Sequence, residues 1–211
     1  MIKATIPIAL SFLLFAFVKP AKETEQSPLA AYSTEWNNAS YKQCNTAAHT
    51  NYLDDKEKEI IWILNMMRKN PSLFASTVVK KYPDQSGRTR LKNVREYKSL
   101  LKALEKQPPL SILVPDSLSW VSARCHAMES GKKGYVGHDR QSKNCESLTH
   151  FMGECCQYGE ETPIDIVMSL LIDEDVPSLG HRVIFLGSYD KIGVSVQPHK
   201  GYRINTVLDF Y

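Results

Sequence analysis

Residues 153–211 read GECCQYGEETPIDIVMSLLIDEDVPSLGHRVIFLGSYDKIGVSVQPHKGYRINTVLDFY, and two different periods follow one another along them. After Pro163, the residues Ile164, Val167, Met168 and Leu171 recur at the spacing of one buried helix face, and the pattern stops near Asp173. Beyond it, Lys191 to Val196 and Tyr202 to Phe210 are runs rich in β-branched and aromatic residues, split by Pro198 to Gly201. That is the signature of a β-hairpin. Gly153 to Tyr158 fits a further short strand.

Upstream the chain reads as helices. Asp54-Asp55 can cap a helix whose Ile60, Ile63, Leu64 and Met67 mark a buried face. Asn70-Pro71 ends that helix and starts a second, through about Tyr82. Pro83 to Asn93 is turn-rich, and a third helix covers Glu96 to Lys106, stopped by Pro108-Pro109. Asp116 caps a longer helix running to about Gly131. In it, the spacing of Leu118, Val121, Cys125 and Met128 predicts the core-facing side, and Ala123 and Ala127 predict close approach by another element. Helices first and strands last predict a layered α+β domain.

Ahead of this domain, expected over residues 54–211, Lys3 precedes an uncharged run from Ala4 to Val18, and charge returns at Lys19 and Lys22. The run is shorter than the ~20 residues of a membrane-spanning helix. Residues 1–21 therefore read as a signal peptide, with no stable membrane span after its cleavage and a secreted, extracellular or periplasmic destination. Residues 22–53 are polar, with scattered aromatics and no sustained hydrophobic period, and are expected to form a tail or linker. Asn38-Ala39-Ser40 within it matches a glycosylation acceptor.

The formal net charge of +3 falls by two if Lys3 and Lys19 leave with a leader, which is no nucleic-acid footprint. Lys80, Lys81, Arg88, Arg90, Lys92 and Arg95 form a loose basic stretch without interleaved stacking aromatics, and read as solvated surface.

Five cysteines behind a leader point to an oxidising compartment, and the odd count leaves at least one unpaired. Cys145 paired with Cys155 or with Cys156 closes a short loop and is the expected bridge. Cys125 is expected as a buried free thiol, and Cys44 as free or paired with the remaining partner.

Three stretches place a glycine directly before an ionisable residue: Gly137-His138-Asp139-Arg140, Gly153-Glu154-Cys155-Cys156 and Gly180-His181-Arg182. Two neutral imidazoles and a carboxylate supply three ligands of a tetrahedral zinc site with one position open. The same residues also suit a hydrogen-bonded network that fixes a cleft. His49 and His199 are expected at the surface, His150 is a candidate extra ligand, and Ser178 and Cys155 are candidate nucleophiles near cleft residues in sequence.

The ordered set "GHDR", "GE", "YGEETPIDIVMSLLIDEDVPSLGHRVIFLGSYDKIGV" and "VLDF", with "EIIWILNMMRKNPSLFA" and "PPLSILVPDSLSWVSARCHA" ahead of it, resembles the CAP superfamily. That group comprises cysteine-rich secretory proteins, antigen 5 and plant pathogenesis-related proteins, and the likeness is strongest to the bacterial SCP-like members. It covers about Asp54 to Tyr211. It implies a three-layer α-β-α sandwich of the CAP/SCP type with a cleft lined by His138, Glu154 and His181, and by Asp173 or Glu174 in the family's fourth cleft position. Where the family has "GEN" this chain has Gly153-Glu154-Cys155, and the tryptophan common in the following helix is replaced around Leu170-Leu171.

The resemblance implies a secreted protein whose cleft binds a divalent cation such as Zn2+, a small, possibly lipid-like ligand, or both. Two alternatives stand beside it. One is a metal-assisted, peptidase-like hydrolase acting through water held near His138, His181 and Glu154, with Glu154 as its catalytic residue. The other is an interaction module in which the cleft is dispensable.

Overall fold

The computed structural model describes Met1 and residues 26–211. The expected signal peptide beyond Met1, and residues 22–25, lie outside the described residues.

Order begins well before residue 54. Two 3-10 turns, Thr34–Asn37 and Ala39–Cys44, are capped by the side chains of Ser33 and Asn38. Leu29, Trp36, Cys44 and Ala47 are buried in the main core. The Trp36 indole packs against Tyr41 and Phe74 and donates to Thr77 Oγ1 at 3.0 Å. The expected polar tail is thus part of the domain from its first described residues. Consecutive short turns carry no 3.6-residue period, so a helix or strand template passes over them. Yet burying a side chain such as Leu29 still contributes about 1.5–3 kcal/mol.

The helices follow the sequence signals closely. α1, Asp55–Lys69, opens on a capping box in which Asp54 and Glu57 each accept the other's backbone N–H. Asn70 caps α2, Pro71–Phe74, which continues through a π-helical turn, Ala75–Val79, into α3, Lys80–Gln85. α4 spans Arg95–Lys106. β1, Val114–Pro115, leads into α5, Ser117–Lys133, capped by Asp116 and ended by Gly134 in the left-handed region. Then come α6, Lys143–Ser147; β2, Gly153–Tyr158; α7, Pro163–Ile172; α8, Gly180–Phe185; β3, Lys191–His199; and β4, Arg203–Phe210.

One mixed sheet of order β1-β3-β4-β2 holds the strands, with β3 and β2 antiparallel to β4 and β1 parallel to β3. Alternation along the strands sorts side chains onto two faces. Cys155, Val194 and Leu208 share the main core with α1 and α7, whereas Cys156 and Val207 pack with Ala123 and Ala127 of α5. Helices therefore lie against both sides of this mixed α/β domain. Among the described residues, no helix is long and apolar enough to cross a membrane.

α5 meets the sheet with an unexpected face. Leu118 and Met128 are 60% and 43% exposed, while Ser119, Ser122, Ala123, His126, Ala127 and Ser130 are buried. Close approach is the reason. A Cβ on Gly193 of β3 would lie 2.1 Å from the Ser119 carbonyl carbon and the Trp120 nitrogen, so large side chains do not fit between helix and sheet. The apolar stripe is turned outward and a small, polar stripe inward.

That rotation also corrects the expected disulfide. Cys125 is only half-buried on α5, and its partner is Cys145 of α6, with Cα atoms 5.4 Å apart. Cys44, Cys155 and Cys156 are free and buried. Cys155 and Cys156 sit within β2 as free thiols, and Cys145 is already bonded to Cys125, so neither expected Cys145 bridge forms.

Candidate functional site

The segment between α5 and α6 carries His138, and its backbone is fixed by residues on either side. Gly137 adopts φ +132°, a conformation L side chains rarely take. Its N–H donates to the Tyr158 hydroxyl at 3.0 Å, and its carbonyl lies 2.9 Å from His126 Nε2. His138 then places Nδ1 2.9 Å from Glu154 Oε1. Glu154 is buried at 5% exposure, and its other oxygen lies 2.6 Å from the guanidinium of Arg140, two residues beyond the histidine.

His181 is held the same way from the opposite direction. Asp173 ends α7 in the left-handed conformation, φ 57°. Its Oδ2 accepts the His181 backbone N–H at 3.0 Å and its Oδ1 lies 2.7 Å from His181 Nδ1. Asp173, Asp175 and Leu179 all have positive φ in the loop between α7 and α8. Such backbone persists where the surroundings over-determine it. Arg182 supplies part of that constraint: buried, it donates to the carbonyls of Glu96, Leu171 and Ile172 and to Ser99 Oγ.

The two imidazoles therefore come together, with ring centroids 6.5 Å apart and planes tilted by 36°. With Nδ1–H donating to a carboxylate in each ring, Nε2 is left as the lone-pair nitrogen, the arrangement that buttresses metal-ligating histidines. Of the two candidates for a fourth cleft residue, Asp173 joins the cluster. Glu174 instead pairs with both terminal nitrogens of Arg90 at the cavity wall.

Glu154 itself is placed behind His138 rather than beside it as a third ligand. Burial raises its pKa, but the hydrogen bonds from His138 and Arg140 outweigh burial and bring the carboxyl down to about 2. A carboxylate held that low is a weak proton acceptor at neutral pH. The same hydrogen bond raises the His138 pKa.

The sequence reading missed two members of this layer. Asp209 of β4 stands opposite Glu154 in the ladder and is fully buried, with Oδ2 3.8 Å from Arg140. Burial first, and the Glu154 charge second, push its pKa well above the usual carboxylate range. His126 of α5 is also fully buried. A ring nitrogen of His126, a Glu154 oxygen and the Cys156 sulfur lie within 4.8 Å of one another, a group able to hold a metal ion. In a similar trio, Cys125, Glu129 and Cys145, both sulfurs are tied up in the disulfide. The signal for His126 was present: Ser119, Ser122, His126 and Ser130 recur at helical spacing as a polar stripe.

Other candidates fall elsewhere. His150 stacks on Tyr211 at 4.3 Å and lies 3.9 Å from Asp116, outside the cleft. His199, expected at the surface, is buried: its Nδ1 accepts the Gly201 and Tyr202 N–H groups, and Nε2 lies 3.0 Å from the Tyr135 carbonyl. A hairpin turn with inward-facing N–H groups explains the difference. His49 and Ser178 are exposed. Burial raises the thiols of Cys155 and Cys156 well above the ordinary cysteine range, so neither is poised as a nucleophilic thiolate.

A cavity of about 280 Å³ adjoins the cluster, with His181, Asp173 and Cys156 in its wall beside Tyr82, Tyr158 and Tyr202. No family model matches the chain, and no curated protein or solved structure matches it either.

Proposed function

We propose that this chain is an exported CAP-type protein whose cleft binds a divalent cation through His138 and His181, with Glu154 and Asp173 orienting the rings. The observation that carries this reading is the matched pair of imidazole–carboxylate contacts, 2.9 Å at His138 and 2.7 Å at His181, on rings 6.5 Å apart. Zinc takes nitrogen ligands at about 2.0–2.1 Å, so two imidazoles on one tetrahedral ion have centroids about 5 Å apart. The rings are within about 1.5 Å of that spacing. The His138 side chain, 56% exposed against 22% for His181, has the freedom to close the difference. The donor set fits the ion.

Such a cation would supply a Lewis-acid centre at the cavity wall. The chain's own contribution is to fix both rings through Nδ1 by their carboxylates, which leaves Nε2 as the nitrogen that would face the ion. The neighbouring volume suits a small ligand. Because Glu154 is held ionised by two donors, binding is better supported than hydrolysis with Glu154 as base. The disulfide and the uncharged N-terminal run support export.

Elemental analysis of protein purified without chelator, before and after dialysis against one, tests this reading. His181→Ala is expected to carry about one equivalent less divalent metal than the wild type. Equal metal content in both would remove the reading.

A further inference from the structure

Beyond the cleft pair, the layer between α5 and the sheet holds a different donor set. His126 comes from α5, and Glu154 and Cys156 come from the same face of β2, two residues apart. One atom from each lies within 4.8 Å of the other two, and all three residues are buried.

His126 is the informative member. Its Nε2 lies 2.9 Å from the carbonyl of Gly137, an acceptor only, so Nε2 carries the proton and Nδ1 presents a lone pair. That Nδ1 is buried and has no hydrogen-bond partner. A buried acceptor left unsatisfied is costly, and one whose other ring nitrogen is tied to a backbone carbonyl has the tautomer of a metal ligand. Cys156 is outside any disulfide and lies in the cavity wall, which gives an ion a path in from solvent. Glu154 has Arg140 on Oε2 and His138 on Oε1, and each carboxylate oxygen keeps a further lone pair for an ion.

We infer that His126, Cys156 and Glu154 form a second cation site, which adjoins the cleft through Glu154 and the His138 ring but takes no ligand from His138 or His181, and is built for a thiophilic transition-metal ion. Sulfur and imidazole nitrogen together suit Zn2+ or Co2+ and disfavour Mg2+ and Ca2+, which take oxygen ligands. On loading, the Cys156 S–H bond breaks, its proton leaves to solvent, and the sulfur electron pair is given to the ion. Three protein ligands leave a fourth position for water or for a ligand in the cavity. The inference does not depend on the cleft pair binding metal.

The test uses the full chain titrated with Co2+, whose bond to a thiolate gives a charge-transfer absorption that nitrogen and oxygen ligands do not. The wild type should develop that band, as should His181→Ala and Cys155→Ser, the latter altering the sulfur on the opposite face of β2. Cys156→Ser should abolish the band, and His126→Ala should weaken cobalt binding at this site by at least about tenfold. X-ray absorption of the zinc-loaded wild type should show sulfur at about 2.3 Å, a readout independent of any variant's folding. Absence of both the band and the sulfur shell in the wild type would overturn the inference, as would a band that survives Cys156→Ser. A band lost in His181→Ala would also overturn it, by placing the thiolate in a shared site. Loss of cleft binding alone in His138→Ala would leave it standing.

Discussion

Glu154 and Asp209 face one another across the β2–β4 ladder, two carboxyl groups buried side by side with one guanidinium, Arg140, between them. One positive charge cannot balance two buried negative ones. Glu154, with the stronger donors, is held ionised, and burial beside that charge pushes the Asp209 pKa well above the usual carboxylate range.

This asymmetry makes a pH prediction. The folded Asp209 pKa lies above its unfolded value, so the folded state holds a proton that the unfolded state releases once pH passes about 4. Its contribution to stability is fully present below the unfolded pKa and is lost as pH rises, by about 1.4 kcal/mol per pH unit, up to the folded pKa. Asp209→Asn has no such proton. The stability of Asp209→Asn relative to wild type should therefore grow as pH rises from about 4 towards the raised folded pKa of Asp209. Parallel denaturation profiles for the two proteins over that range would contradict the assignment.

Asp173 fixes both the backbone and the ring of His181. In Asp173→Asn one acceptor survives for the backbone N–H, but the charge behind the ring is lost. Metal affinity at the cleft should fall by about 10- to 100-fold. Isothermal titration would show it, and unchanged affinity would mean that Asp173 is structural only.

Residues 26–53 should behave as part of the domain. Trp36→Ala removes a fully buried indole and its bond to Thr77, with an expected loss of about 3–5 kcal/mol in chemical denaturation. A change within about 0.5 kcal/mol, the level of a surface substitution, would restore the view of this segment as a tail.

A non-reduced digest should yield one linked pair, Cys125 with Cys145, and three thiols that alkylate only after denaturation. Breaking the pair, 20 residues apart, should cost about 3 kcal/mol. A linked Cys145–Cys155 or Cys145–Cys156 peptide would contradict the connectivity described.

The parts legible in the sequence were those whose burial follows a regular period. α1, α7 and the β3–β4 hairpin each bury large apolar residues at helical or strand spacing, and the capping box at Asp54 and Pro163 in the first turn of α7 mark where they start. α5 defeated the same reasoning because the side with the larger side chains faces solvent. Close approach at Gly193 to Ser119 and Trp120 leaves no room for large side chains there, and His126, buried on the same small, polar stripe, went unnoticed. The three glycine-preceded motifs marked His138, Glu154 and His181, but only the family resemblance placed them in one cleft; in the structure His138 meets Glu154 at 2.9 Å and the His181 ring at 6.5 Å between centroids. Their spacing could not show that Glu154 stands behind His138, nor that Asp209, far along the chain, shares its environment. That follows only from strand register.

A zinc titration at neutral pH, repeated near pH 5, reads whether the two imidazoles share a cation. Wild type should bind at the cleft near neutrality and release as the imidazoles protonate, since a protonated ring cannot ligate. The paired substitution His138→Ala/His181→Ala should lose that binding while Cys156→Ser retains it. Zinc binding of equal strength in wild type and in the paired variant would contradict the account.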